Sequence, residues 1–319
     1  MDTVIAAHGL TRYFGGRIVV DHLDLAVPRG AIFALLGDNG AGKSTTIRML
    51  TGLLPASAGR ATVLGQDCWA CAAELRHKVG YVPEKPRFYD WMTVSELGAF
   101  AAGFHHAGYR DRYLLLMERF RLEGKARLKT LSKGGYAKVG LALALASEPE
   151  VLILDEPTSG LDLFTRREFL ASMVELAGEG RTIFISSHGV AELERVASHA
   201  AFVANGKPLL TGTLEELRQR LLRVHVRHDG SVDEPTGLGR LLDQEVSRRE
   251  WQAVLQDPDR AAVEQLRRRD GVLAVEESAL SLEEMYTALM APFHQDNERN
   301  GQGKSNRPEP TPVGEKGER

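Results

Sequence analysis

The chain has 319 residues, of which 43% are hydrophobic and 26% are charged, and these values are ordinary for a globular protein. This length accommodates one large domain and a smaller one. The net charge of −3 gives no overall electrostatic reason to bind nucleic acid or an anionic membrane.

Membrane-spanning and secretory segments are not predicted. The longest uncharged stretch, residues 97–109, has 13 residues and includes two histidines. It is therefore too short and too polar to cross a bilayer. No basic segment followed by an apolar one opens the chain, so we expect the protein to remain in the cytoplasm.

The first predicted elements are strands, at Val4–His8, Ile18–Val20 and Leu23–Val27. An apolar run, Ala31–Leu36, then predicts a buried strand, and Thr45–Leu50 predicts a helix. The residues between this strand and this helix are the most informative of the chain.

This connecting segment reads Gly37-Asp38-Asn39-Gly40-Ala41-Gly42-Lys43-Ser44-Thr45 and fits the phosphate-binding P-loop pattern. Its glycines let backbone N–H groups face a phosphate, and the helix N-terminus adds a partial positive charge. Lys43 can reach the terminal phosphates, and the Ser44 hydroxyl is placed to bind Mg²⁺. A chance glycine-rich turn would not explain the strand–loop–helix context. All nine residues are therefore candidate ligands of a nucleoside triphosphate.

The only cysteines, Cys68 and Cys71, follow this segment. A redox or metal pair is one interpretation, but no second cysteine pair exists to complete a zinc site. A thioredoxin-like motif should lie beside its own βαβ pattern. We therefore expect an incidental surface pair.

The middle of the chain alternates strands and helices. Thr93-x-x-Glu96 predicts a capping box within a helical insert at 91–122. Unbroken apolar strands at Val151–Leu154 and Thr182–Ser186 are each followed by a helix, which favours a parallel sheet covered on both faces. The first of them ends in Asp155, suited to Mg²⁺, and Glu156, suited to polarising an attacking water.

The pattern changes near residue 212. Thr213-x-x-Glu216 and Ser281-x-x-Glu284 predict capped helices, and three strand-like runs lie between them. We expect an ATPase domain at 1–212, a small α+β accessory domain at 213–292 and a disordered tail at 293–319.

Further motifs accompany the P-loop and the acidic strand in a fixed order. They are Thr11–Gly15, Gly80–Glu84, Leu131–Gly135, Pro157–Asp162 and Ile185–His188. Together these motifs resemble those of the nucleotide-binding subunit of an ATP-binding cassette (ABC) transporter, over residues 3 to about 212. The resemblance implies an α/β fold: a P-loop NTPase (ABC ATPase) core with a parallel sheet, an antiparallel β subdomain and a helical insert, plus the small C-terminal α+β appendix.

The resemblance also implies roles. ATP and Mg²⁺ would be bound between two subunits, in a homodimer or a heterodimer, with each ATP contacting the P-loop of one subunit and the other subunit's Ser132 and Gly134. Phe14, rather than Tyr13, would stack on adenine, and Asp162 would lie at the dimer interface. The implied catalytic and metal-binding residues are Lys43, Glu156 and His188 for catalysis, and Ser44, Glu84 and Asp155 for Mg²⁺.

Three positions depart from the family pattern. Gly135 replaces a glutamine and Lys133 a glycine in the Leu131–Gly135 segment, while Glu84 stands where glutamine is usual. A carboxylate at Glu84 adds negative charge near Mg²⁺ and the γ-phosphate. Such changes, and the closing Ser281–Tyr286 segment, resemble the branch of bacterial antibiotic-export ATPases.

The leading hypothesis is therefore the ATPase of an exporter whose membrane-spanning permease is a separate chain, with the ATPase on the inner face of the cell membrane. A soluble cassette ATPase acting on ribosomes or DNA remains an alternative, although no basic stripe favours nucleic acid. An importer ATPase would use the same chemistry. The sequence does not identify the cargo.

Overall fold

The computed structural model describes residues 2–232 and 235–302, with side chains described as far as residue 293. The strands are β1 Thr3–Phe14, β2 Arg17–Pro28, β3 Ile32–Leu36, β4 Ala58–Val63, β5 Gln66–Asp67, β6 Val79–Val82, β7 Val151–Asp155, β8 Thr182–Ser187, β9 His199–Ala204, β10 Lys207–Thr213, β11 Leu221–His228, β12 Arg240–Val246, β13 Glu250–Gln256 and β14 Val272–Ala279. The helices are α1 Lys43–Leu50, α2 Ala72–Leu75, α3 Val94–Ala102, α4 Tyr109–Arg119, α5 Lys133–Leu145, α6 Leu163–Gly178, α7 Val190–Leu193, α8 Leu214–Arg220, α9 Arg260–Leu266 and α10 Leu282–Gln302.

A six-stranded sheet in the order β10-β9-β3-β8-β7-β6 forms the centre of the fold. Its strands run parallel except at the β10 edge. Alternate residues of β3 point to opposite faces, so Ile32 and Leu36 join one core while Phe33 and Leu35 join another. This arrangement confirms the predicted parallel sheet with both faces covered.

The two faces of this sheet are covered differently. The antiparallel sheet β2-β1-β4-β5 and helix α1 contribute to one core, and the longer helices contribute to the other. The predicted helical insert forms α3 and α4, and Thr93 and Glu96 make the expected capping box. None of the helices that the structure describes is long and apolar enough to span a membrane.

The last sheet, in the order β12-β13-β11-β14, packs with α9 around its own apolar core. The run Arg267–Arg269 that follows α9 could be a nucleic-acid patch or a solvated face. Arg267 Nη2 lies 2.6 Å from Glu277 Oε1, and Arg268 Nη2 lies 3.4 Å from Glu264 Oε1. These ion pairs support a solvated face rather than a nucleic-acid patch.

Several boundaries differ from the sequence-based expectation. The helix after Thr213 ends at Arg220 because Leu221 and Leu222 begin β11, where both are buried. Strands β9, β10 and β12 were not predicted. Helix α10 runs to Gln302, so residues 293–302, expected in a disordered tail, continue a helix; 303–319 lie outside the described residues.

Helix α10 was expected to belong to the accessory domain, but it packs against the core of the central sheet. Its buried residues Leu282, Met285 and Leu289 belong to the same core as Ile32 and Leu36 of the central sheet. Leu221 of β11 and Val254 of β13 also belong to this core, so packing is continuous across the expected boundary near residue 212. We propose that β11–β14 and α9 form the accessory unit and that α10 returns to the larger one.

Candidate active site

The P-loop lies between the buried strand β3 and helix α1, as predicted. Two of its glycines are required by close backbone contacts. A Cβ at Gly37 would lie 2.4 Å from the carbonyl oxygen of Val203, and one at Gly42, whose φ is +97°, would lie 2.6 Å from that of Val19. Any other residue at these positions would displace the loop.

Lys43 is buried in this loop, with 5% of its surface exposed. Its Nζ donates to the carbonyl oxygens of Gly37 at 2.6 Å and Asp38 at 3.1 Å. The same Nζ lies 3.1 Å from Oε1 of Glu156. These three contacts hold the ammonium at the P-loop, where it can also bind an anion.

Asp155 ends β7 beside the P-loop helix. Its Oδ1 accepts hydrogen bonds from Ser186 Oγ at 2.7 Å and Ser44 Oγ at 3.1 Å. Burial raises the pKa of Asp155 above its ordinary value, although both hydrogen bonds oppose the shift. The neighbouring carboxylates of Glu156 and Glu84 raise this pKa further, so a cation here would relieve a buried charge.

Glu156 has a φ of +47°, an uncommon conformation for a residue with a side chain. Its backbone N–H donates to Ser186 Oγ at 3.0 Å, which helps to hold the turn. Its Oε2 lies 2.7 Å from Nδ1 of His188. Its other oxygen, Oε1, is buried and has the Lys43 ammonium nearby without hydrogen-bond geometry. The conformation thus keeps one carboxylate oxygen available for a further polar group.

These groups surround one cavity of about 580 Å³, a volume typical of small-molecule sites. The residues that line it are Val19, Asp38, Asn39, Gly40, Gly42, Lys43, Ser44, Thr45, Glu84, Lys85, Glu156, Ser159 and His188. The structure therefore brings the P-loop, Glu84, Glu156 and His188 together, with Asp155 bonded to Ser44 beside them.

The donor set fits Mg²⁺ only in part. Among the described residues no group of three or more His, Cys, Asp and Glu side chains is arranged to hold a metal ion. Ser44 Oγ and Asp155 Oδ1 are nevertheless adjacent oxygens, and Mg²⁺ is commonly held by one or two protein groups plus phosphates. Glu84 is a weaker candidate ligand for Mg²⁺, because its half-exposed carboxylate pairs with Lys85, with Oε1 and Nζ 3.2 Å apart.

The other predicted ligands lie apart from this cavity. Phe14 is 45% exposed at the end of β1, and the Arg12 guanidinium lies 4.7 Å from its ring centroid. Ser132 is exposed and caps α5 by accepting from the N–H of Gly135. Gly134 packs against α6, where a Cβ would lie 2.5 Å from Cγ2 of Thr165.

Two further residues of the site were missed by the sequence analysis. Ser186 bonds both Asp155 and the backbone of Glu156, and its position as a polar residue ending an apolar strand next to β7 could have indicated it. Tyr286 bonds Asp38 of the P-loop from 248 positions away, and no local pattern signals that contact.

The two cysteines differ from the expected surface pair, because Cys71 is partly exposed but Cys68 is buried. Cys68 is 2% exposed, and burial raises its pKa to about 12. A thiol with this pKa stays protonated and is a poor nucleophile.

A phosphate-binding loop, an acidic strand end and a histidine around one cavity define a P-loop nucleotide hydrolase. The family model described as "ABC transporter" matches residues 20–159. The bacitracin transport ATP-binding protein BcrA of Bacillus licheniformis is 37% identical over 69% of this chain and 73% of its own length. A solved ATP-binding subunit of an ABC transporter is 32% identical, with a TM-score of 0.62 over 68% of this chain and 92% of its own.

This chain therefore belongs to the ABC transporter family and contains its ATP-hydrolysing nucleotide-binding domain. The probable multidrug ABC transporter ATP-binding protein YbhF of Escherichia coli (strain K12) is 38% identical over 68% of this chain. That match spans only 38% of YbhF, so the chain corresponds to less than half of this relative.

Proposed function

We propose that the chain is the ATP-binding and ATP-hydrolysing subunit of an exporter, that two such subunits associate around ATP, and that a separately encoded permease carries the cargo. The observation that carries the proposal is the separation of the two halves of the ATP site. Lys43, Glu156 and His188 are joined within one chain, whereas Ser132 stays exposed outside their cavity.

A second subunit explains this separation. Ser132 and the first turn of α5 form a helix N-terminus suited to an anion. Leu163 and Phe164, beside the Asp162 that caps α6, are 58% and 72% exposed, and adjacent exposed apolar side chains of this kind can form an interaction surface. Facing a second copy, these groups would approach a γ-phosphate held by the partner's P-loop.

The residues of the cavity support a defined order of events. ATP phosphates replace the carbonyl oxygens and Glu156 as partners of the Lys43 ammonium. Glu156 then accepts a proton from the attacking water, and His188, already 2.7 Å from Glu156, holds that carboxylate in place. Mg²⁺, held by Ser44 and Asp155, would neutralise charge on the phosphates.

An exposed aromatic patch supports docking to a permease. Tyr89, Trp91, Phe100 and Phe104 are 44–70% exposed and contact one another on the helical insert, close in sequence to Glu84. Contiguous exposed apolar surface of this kind marks interaction sites. Conformational changes at the nucleotide cavity would therefore reach the permease through the Glu84 loop, on the inner face of the membrane.

Export is favoured by the relatives. Besides BcrA and the multidrug protein YbhF, a Nod factor export ATP-binding protein from Rhizobium sp. (strain N33) is 34% identical over 88% of this chain and 95% of its own length. The names of these relatives support an outward direction and leave the cargo open.

The test is capture of the permease, followed by transport. Tagged chain is co-expressed with membrane proteins encoded beside it, and the purified complex is reconstituted. We expect a membrane protein to co-purify and to stimulate ATP hydrolysis. Trp91→Ala should weaken capture, while Trp69→Ala, a control at another exposed tryptophan outside the insert, should not.

Direction is read in inverted membrane vesicles supplied with external ATP. Accumulation of cargo in the lumen supports export, whereas ATP-driven depletion of preloaded cargo would indicate an importer. Full ATPase activity with no membrane protein captured would contradict the transporter assignment.

A further inference from the structure

A hydrogen bond links the C-terminal helix to the phosphate-binding loop. Tyr286 of α10 donates its phenolic hydrogen to Oδ1 of Asp38 at 2.6 Å. This distance is in the range of strong hydrogen bonds between a hydroxyl and a charged acceptor. Asp38 is the second residue of the P-loop and lines the nucleotide cavity.

Tyr286 is held in this position by helix α10, which is itself fixed by several contacts. Ser281 and Glu284 cap α10 reciprocally, and Glu284 also lies 2.7 Å from Arg223 of β11. Met285, next to the tyrosine, is 1% exposed in the main core. The tyrosine ring itself packs near Phe202 of β9, with centroids 6.5 Å apart. The phenol therefore has little freedom to leave Asp38.

The surroundings of Tyr286 keep its hydroxyl protonated and therefore able to donate a hydrogen bond. Burial raises the pKa of Tyr286, and the carboxylates of Asp38 and Glu156 raise it further. The hydroxyl thus stays protonated across the physiological range.

The Asp38 carboxylate would repel a triphosphate, and the Tyr286 phenol can limit this repulsion by fixing where the carboxylate lies. A carboxylate beside a cavity for triphosphate repels the ligand, and the repulsion depends on where the charge lies. The carbonyl oxygen of the same residue accepts from Lys43 at 3.1 Å. The position of Asp38 consequently affects both its own carboxylate, which repels phosphate, and the Lys43 ammonium, which attracts it.

Resting on the proposed ATP-binding function, we propose that Tyr286 is a positioning residue of the nucleotide site, which holds the Asp38 carboxylate on the α10 side so that the P-loop can accept phosphate. The C-terminal helix then belongs to the machinery of ATP binding and is not only a docking appendage. Tyr286 touches no reacting atom, so its removal acts on affinity rather than on the chemical step.

The test compares four full-length proteins: wild type, Tyr286→Phe, Asp38→Asn and the double variant. Phenylalanine keeps the ring packing and removes only the hydroxyl. We expect Tyr286→Phe to raise the Kd and KM for ATP about tenfold, the scale of losing a hydrogen bond to a charged group, with kcat changed less than twofold. In the Asp38→Asn background the side chain at position 38 carries no negative charge, so Tyr286→Phe should alter the Kd for ATP less than twofold.

A matched control separates this effect from loss of a buried hydroxyl. Tyr109 also donates its phenolic hydrogen, to the carbonyl oxygen of Leu143 at 2.8 Å in the helical insert. Tyr109→Phe should leave Kd unchanged. Thermal unfolding of each variant verifies that the nucleotide-free fold is intact.

The outcomes are distinguishable. Wild-type affinity in Tyr286→Phe, an equal tenfold loss in the Asp38→Asn background, or an equal loss in Tyr109→Phe would each overturn the proposal. Failure of the wild type to bind ATP, or binding that survives Lys43→Ala, would instead overturn the proposed function on which the inference rests.

Discussion

The catalytic cavity and the Ser132 segment differ in how far a single chain completes them. Asp155 and Glu156 are 3% and 7% exposed and are bonded to groups from β8, α1 and the P-loop. Ser132, in contrast, is exposed, and its hydroxyl only caps its own helix. One region is preorganised by folding, and the other presents donors to solvent.

This difference indicates how hydrolysis can be controlled. In the proposed two-subunit arrangement, the acidic cluster is preorganised for chemistry, and the γ-phosphate contact that it lacks would come from the partner. On this proposal, turnover would depend on the association of two chains rather than on the folding of one.

The largest effect is expected in the preorganised region. Glu156→Gln keeps the shape of the side chain and removes its ability to accept a proton, so hydrolysis should fall by about 10²–10⁴-fold. ATP binding should persist, because the P-loop is intact. Turnover is measured by phosphate release, and binding by titration with ATP.

The same variant should accumulate as an ATP-bound dimer, detected by light scattering with the permease present. Normal turnover would remove Glu156 from the catalytic role. Lost turnover without any ATP-dependent association would leave the cavity assignment standing and refute the shared site.

The second prediction addresses the exposed region by complementation. Lys43→Ala inactivates one half of the site and Ser132→Arg the other, so each protein alone should be inactive. Mixed one to one, they should recover about a quarter of the wild-type rate, because half of the dimers are mixed and each has one complete site of two.

The control is Lys43→Ala mixed with the Lys43→Ala, Ser132→Arg double variant, in which no site is complete. Recovery in that mixture would indicate contamination. No recovery in the first mixture, with both proteins folded and associating, would mean that Ser132 does not serve the partner's ATP.

The preorganised region was largely predictable from the sequence because short motifs encode it. A glycine-rich loop between a strand and a helix fixes the P-loop, and a strand that ends in Asp155 and Glu156 places two carboxylates beside it. Both patterns lie within a few consecutive residues, and close backbone contacts at Gly37 and Gly42 explain why the loop requires glycine there.

Contacts distant in sequence were not predictable in this way. The bond from Tyr286 to Asp38 depends on α10 returning to the main core, which the change of pattern near residue 212 concealed. Strand β12 was missed for another reason: its residues are mostly exposed and polar, so no alternation marks it.

The third prediction concerns the residue that would contact adenine within the same chain as the P-loop. Phe14 has an exposed ring beside Arg12, and base stacking is worth about 1–3 kcal/mol. Phe14→Ala should therefore raise the Kd for ATP about tenfold, whereas Phe14→Tyr should not change it. Tyr13→Ala is the matched control at an equally exposed neighbour; a loss there instead would move the adenine to Tyr13.

The smallest effect is a pH-dependent difference in stability between the two regions. Folding raises the pKa of Asp155, mainly through burial, so the folded state holds this proton more tightly than the unfolded chain. The free energy of unfolding therefore falls as pH rises from the ordinary aspartate range through the raised value, and at neutral pH the buried charge opposes folding. Asp155→Asn should consequently raise the melting temperature of the nucleotide-free protein at pH 7 by a few degrees, with the gain shrinking as pH is lowered.

Asp162, beside the exposed segment, gives a control of opposite sign. The hydroxyl and N–H groups of Thr165 lower the pKa of Asp162, so its stabilising effect is present above the ordinary aspartate range and is lost as pH falls through the lowered value. Asp162→Asn should lower the melting temperature at pH 7 and have less effect in acid. Because both substitutions remove one negative charge, opposite shifts at pH 7 cannot arise from net charge. Shifts of the same sign would contradict the view that folding opposes the ionised Asp155 carboxylate and favours that of Asp162.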